Sequence, residues 1–304
     1  MRGAALFCLI SLCASAALAK LNIVTTIPDF ATLASELGGE RVSTEALVQG
    51  SEDPHFVDAK PSHVLRVNRA DLLISVGLGL ESGWLPALLA QARNAKVQPG
   101  TPGNFEAARD VRLKDVPVSL DRALGDIHAG GNPHFYAAPP EMLRVAEALH
   151  ERLVALDPEG RAVFDGAWQA WQGKFAQKNA GWLAACKPVV GAEVVEYHKS
   201  WIYLLDWLGL VSVGTLEPKP GIPPSPAHVS ELLTAVRGHH VRFVFTEVYH
   251  SDHLAKVFAE KAGARLVVLP SMVGAEPGIR TLWDKWDRVV QLVCLQPAQL
   301  EAQP

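Results

Sequence analysis

Short apolar runs alternate with stretches in which apolar residues recur every three or four positions. The first kind predicts strands and the second predicts helices. Residues 21–27 predict a first strand, 42–48 a second and 72–76 a third. The third is apolar throughout, as strands covered on both faces tend to be. Helices are expected over 30–37, closed by Gly38-Gly39, and over 61–70, with Ser62 as N-cap. A strong helical pattern fills 139–156, and Asp157-Pro158 punctuates it. Pro158 suits the first turn of another helix, over 159–185. At 1.5 Å per residue that helix would be roughly 40 Å long. This is more than one layer needs, and it predicts a strut between lobes, with Trp168, Trp171 and Trp182 as packing anchors. Strands return at 189–195, 211–216, 242–247 and 265–269, with helices between them. The proline-rich segment 217–226 reads as a stiff loop, with Ser225 or Ser230 capping the next helix. Alternating strands and helices on both sides of a long helix predict an α/β fold. It would have two lobes, each a mainly parallel sheet flanked by helices, joined by one long helix. The expected division is 20–157, a linking helix 158–186, and 187–304.

The first 19 residues stand outside this pattern. A basic start at Arg2, an apolar run over 4–16 and the small residues Ala17 and Ala19 predict a secretory signal peptide, cut after Ala19. The run is too short to span a bilayer, and no later stretch is long enough. The mature chain is therefore expected to be periplasmic, without membrane insertion. Cys8 and Cys13 would leave with the signal, and Cys186 and Cys294 would remain in an oxidising compartment. Whether that pair is bonded or buried as two thiols stays open at this point.

Composition narrows the function classes. With 49% hydrophobic and 20% charged residues, the chain is not a disordered one. Its formal net charge of -4, without a basic stripe, argues against a nucleic-acid binder.

The histidines carry the candidate chemistry. His55 lies in Asp53-Pro54-His55-Phe56, just past a predicted strand. His198 lies in Glu196-Tyr197-His198, just past the first strand of the second half, and His134 lies in Gly131-Asn132-Pro133-His134, on a loop before a helix. Ligands of open α/β sheets bind beyond the carboxyl ends of strands. Three imidazoles and one further ligand complete a zinc tetrahedron. The separations match no local zinc-binding spacing, so the residues alone reach only as far as a metal site between two lobes. A zinc hydrolase is the rival class, with Glu247 or Glu196 as base, but nothing resembles a nucleophile or a base spaced from a ligand on one helix.

The order of several segments resembles a known family: the zinc/manganese-class solute receptors of ABC importers, with a helical linker (cluster A-I). These segments are Thr25-Thr26-Ile27-Pro28-Asp29, Asp53-Pro54-His55 with Pro61-Ser62, Ala70-Asp71-Leu72 through Glu81, Gly131-Asn132-Pro133-His134, Tyr197-His198 with Trp201 to Gly209, Glu217-Pro218 and Phe245-Thr246-Glu247. The resemblance implies a receptor rather than an enzyme. It implies His55, His134 and His198 as metal ligands, and an ABC permease with its ATPase as partner of a monomeric chain. It implies Zn2+ as the carried ion over Mn2+, because His198 stands where manganese members tend to carry an acid. The family's usual acidic ligand after the last strand is missing from Val268-Leu269-Pro270-Ser271-Met272. Glu247, as fourth ligand or as support behind the ligands, the downstream Glu276, Asp284 and Asp287, or a water remain to fill that role. His128 is the one histidine in the loop before His134, where relatives carry a histidine-rich segment, and is a candidate auxiliary ligand. His239, His240, His250 and His253 are expected on the surface.

Overall fold

The computed structural model describes residues 20–118, 128–251 and 253–295; the segment expected to be a signal peptide lies outside them. The first lobe contains β1 (Leu21–Thr25), α1 (Pro28–Gly38), β2 (Val42–Ala46), α2 (Pro61–Arg69), β3 (Leu72–Ser75), α3 (Leu85–Ala92) and β4 (Asn104–Glu106). Then come α4 (Pro139–Leu156) and the long α5 (Arg161–Cys186). The second lobe contains β5 (Glu193–Glu196), α6 (Ile202–Leu208), β6 (Val211–Thr215), α7 (Pro226–Ala235), β7 (Val241–Glu247), α8 (His253–Ala262), β8 (Arg265–Leu269) and α9 (Leu282–Cys294).

Each lobe holds a four-stranded sheet, in the orders β2-β1-β3-β4 and β6-β5-β7-β8. All pairings are parallel. Both sheets thus share one topology, with the second strand on one side of the first and the third and fourth on the other. That arrangement opens a crevice at the strands' carboxyl ends, and there is one such crevice per lobe.

Most expected elements form, with shifted ends. The strand expected over 189–195 begins only at Glu193, because Pro188 sits in a 3-10 turn that extends the end of α5. Gly191, at φ 79°, then turns the chain into the strand. Ser62 lies inside the first turn of α2, since Pro61 already opens that helix. Ser225 is the cap of α7, accepting from the backbone N–H of His228.

The long helix is held by one face. Phe164, Trp171, Phe175, Trp182 and Cys186 are its buried residues, at spacings of one and two turns. Trp171 lies 4.9 Å from Trp283, and Trp182 lies 5.7 Å from Trp286, both partners on α9. The Trp182 indole N–H donates to Asp287, which also accepts from Lys178. Cys186 and Cys294 form a disulfide joining the ends of α5 and α9. One continuous apolar core runs from the first sheet through α4, α5 and α9 to one face of the second sheet, and a smaller core fills the other face of that sheet, under α7 and α8. Among the described residues no helix is long and apolar enough to cross a membrane.

Candidate metal centre

His55 lies on the loop after β2, His198 two residues past β5, and His134 opens a 3-10 turn, His134–Ala137, ahead of α4. The fold brings all three together. Their ring centres are 5.1 Å (His55–His134), 5.3 Å (His134–His198) and 5.5 Å (His55–His198) apart. One nitrogen from each lies within 4.8 Å of the others. Imidazoles bonded tetrahedrally at about 2.0–2.1 Å have ring centres about 5 Å apart, so the spacing suits a cation with little rearrangement.

The second nitrogen of each ring is already engaged. His55 Nδ1 donates to Asp53 Oδ1 at 2.7 Å, and His198 Nδ1 donates to Glu217 Oε2 at 2.6 Å. A carboxylate only accepts, so these bonds put the proton on Nδ1 and the lone pair on Nε2. His134 Nδ1 is 3.1 Å from the Tyr136 hydroxyl. The Nε2 atoms of His55 and His134 are buried without a protein partner, which is costly unless something fills the space between them.

Each loop is pinned. The Trp84 indole N–H donates to the Pro54 carbonyl at 3.1 Å, fixing the His55 loop. Asn132 accepts from the His134 backbone N–H at 3.0 Å and donates to the Lys199 carbonyl at 2.7 Å. One side chain therefore joins the His134 loop of the first lobe to the His198 loop of the second.

Electrostatics separates the rings. Burial, with the neighbouring imidazoles His55 and His198, pushes His134 well below its ordinary 6.5, so it stays neutral. For His198, burial also works against charge, but the hydrogen bond and charge of Glu217, with Glu247 and Asp53, outweigh it and raise the pKa. Burial pushes Asp53 up, yet its bonds to His55 hold it below the usual range.

Glu247 is fully buried at the end of β7. Its Oε2 accepts from His250 Nδ1 at 2.8 Å, and its Oε1 has no partner. The His128 ring lies 5.5 Å from His55 and 6.3 Å from His134. It lines a cleft of about 420 Å³ together with His198, Asn132 and Lys199. His250 departs from the expectation that it is a surface residue. It is half-buried, stacked on Tyr197 at 4.3 Å, with its ring 6.4 Å from His198. The sequence holds one local trace of this, the spacing Glu247-x-x-His250, which a turn after a strand folds back on itself. His239 and His240 are exposed, as is His253.

Two parallel-sheet lobes, one long connecting helix and a largely buried cluster of imidazoles between them define a helix-linked solute-binding protein. Residues 23–286 match the family model of ZnuA, the periplasmic zinc-uptake complex component A. The chain belongs to that family. It is similar to the zinc-binding lipoprotein AdcA of Streptococcus pneumoniae (strain ATCC BAA-255 / R6), at 23% identity over 254 residues, 82% of this chain and 50% of AdcA. The chain thus spans about half the length of that relative. It is also similar to the high-affinity zinc uptake system protein ZnuA of Yersinia pestis, at 26% identity over 242 residues and 76% of each chain. A crystal structure of ZnuA superimposes with a TM-score of 0.74, at 22% identity, over 90% of this chain and 98% of that one. Manganese-binding lipoproteins are among the relatives as well.

Proposed function

We propose that this chain is an extracytoplasmic receptor that binds Zn2+ between its lobes and delivers it to an ABC permease driven by its ATPase. His55, His134 and His198 are the ligands. The observation that carries this reading is the set of three imidazoles at tetrahedral spacing, His134 and His198 buried and His55 partly buried, two of them with Nδ1 held by a carboxylate. Borderline nitrogen ligands favour Zn2+ over Mn2+, which prefers oxygen. Glu247 supports the site from behind, and His128, at the edge of the open cleft, is an auxiliary ligand that meets the incoming ion. Export by residues 1–19 places the mature, monomeric chain in the periplasm, with 20–157 and 187–304 as lobes and 158–186 as link.

The protein binds and releases its ion without chemical change. Elemental analysis of the purified chain, followed by competition between Zn2+ and Mn2+, tests the reading. One tightly held zinc per chain is expected. Nanomolar binding corresponds to about −12 kcal/mol. His55→Ala, His134→Ala and His198→Ala should each weaken binding greatly. Parent-like zinc retention by all three variants would overturn the ligand assignment.

A further inference from the structure

We propose that His250 is a fourth histidine ligand, held for that role by Glu247, so that the bound ion is enclosed by four imidazoles. This rests on the three-histidine reading and deepens it.

The argument begins with a repeated arrangement. Asp53 holds Nδ1 of His55, Glu217 holds Nδ1 of His198, and Glu247 holds Nδ1 of His250 at 2.8 Å. Metal-binding histidines almost always hand their second N–H to a carboxylate, a carbonyl or a water, which fixes the tautomer and raises the basicity of the other nitrogen. In His250 this leaves Nε2 as the nitrogen with the lone pair. Glu247 is a fully buried carboxyl group at the end of a central strand, and Glu247 Oε1 has no partner. Such a group is expensive unless a nearby positive charge compensates it. A bound dication, reached through His250, supplies that charge.

Position agrees with chemistry. His250 borders a cavity of about 30 Å³, shared with Asp53, His55, His198, Glu217 and Tyr249. That is space on the scale of a single water or ion. The His250 ring is fixed on one side by stacking on Tyr197 and at its edge by Tyr249, 4.8 Å away. Its centre lies 6.4 Å from that of His198, against the 5.1–5.5 Å among the other three. A movement of about 1 Å toward His198 brings that pair to the tetrahedral spacing of about 5 Å, and a further swing of the same turn carries the ring toward His55 and His134. His250 sits in a turn outside the strand, where such a movement disrupts no sheet bonding. Four neutral nitrogens and no oxygen also make the shell more selective for zinc over manganese than three histidines and a carboxylate would.

Zinc K-edge absorption on the loaded protein counts the imidazoles directly. Four are expected in the parent. His250→Ala and His250→Gln should each show three imidazoles and one oxygen, with zinc affinity lower by about 10- to 100-fold and a smaller preference for Zn2+ over Mn2+. Glu247→Gln should keep the imidazole count and weaken affinity. Three imidazoles in the parent, or an unchanged count and affinity in both His250 variants, overturn the proposal and leave the three-histidine site standing. A parent that holds no zinc overturns both.

Discussion

Lys285 of α9 and Asp29 at the start of α1 form an ion pair across the two halves of the molecule, with both side chains excluded from water. Lys285 also donates to the Tyr136 carbonyl at 2.8 Å, and the other Asp29 oxygen accepts from the Val273 backbone N–H at 2.9 Å. One buried node therefore gathers the first helix, the turn that carries His134, and the loop after β8. Burial lowers the pKa of Lys285, and the Asp29 carboxylate works against that shift.

Removing one partner would leave an uncompensated buried charge. Asp29→Asn and Lys285→Met are each expected to destabilise the protein by about 3–5 kcal/mol. The double variant should recover part of that loss, since neither charge then remains. Denaturant unfolding of the four proteins measures the coupling. A double variant as unstable as the sum of the singles would argue that the pair acts through something other than mutual compensation.

Zinc affinity should fall with pH, and His198 sets where. Its pKa is raised above the ordinary 6.5. Below that raised value the ring holds a proton that zinc must displace, so affinity drops as pH falls through it. His134 is shifted the other way and stays neutral over the same range, so it adds no such penalty. Competition titrations from about pH 8 to about pH 6, across the histidine reference value, should show a steady loss. Replacing Glu217 with Gln removes the group that raises His198. It should move the loss to lower pH, while weakening binding about 10- to 100-fold at high pH through the lost orientation of the ring.

How far this site was legible follows from the range of its contacts. Buried parallel strands are short apolar runs, so their presence was readable, while their ends depended on local turns such as the one at Pro188. β4 has three residues and carries no period to read. The three histidines stood out through their order and context, because each follows or precedes an element with its own pattern. Their partners did not. Glu217 lies 19 residues from His198 in the chain, and only the β5–β6 pairing brings them together. His250 grouped with the surface histidines, because its one local trace, the spacing Glu247-x-x-His250, says nothing of the packing on Tyr197 that covers the ring. The Cys186–Cys294 bond depended likewise on α9 lying along α5, a tertiary fact.

The glycines of the long helix offer a separate test of what holds it. Gly166, Gly173 and Gly181 are exposed, and a methyl group added at any of them meets nothing within 4 Å. Packing therefore does not require them, and each weakens the helix relative to alanine. Gly173→Ala and Gly181→Ala should each stabilise the protein by about 0.4–1 kcal/mol. A loss of stability in either variant would show that a glycine there has a role the packing does not reveal.

The lobes should move little when the ion binds. The start of α5 is tied to the first lobe through Asp157, which accepts two bonds from Arg41 at 2.6 Å each. Its far end is tied to the second lobe by the disulfide to α9 and by Asn179, which accepts from the Trp207 indole N–H at 2.8 Å. α9 in turn reaches α1 through the Trp283 indole N–H, 2.9 Å from Glu36 Oε2. A clamshell closure would have to shear the apolar core that runs through α5 and α9 into both lobes, and packed interiors resist such deformation. The metal signal should then appear in loops: the turn at His134 and the segment 270–277, which meet at the Lys285–Asp29 node. Small-angle scattering of metal-free and zinc-loaded protein should give the same radius of gyration, while amide exchange slows in those two loops. A clear contraction on adding zinc would mean that the helical link bends, against every tie just described.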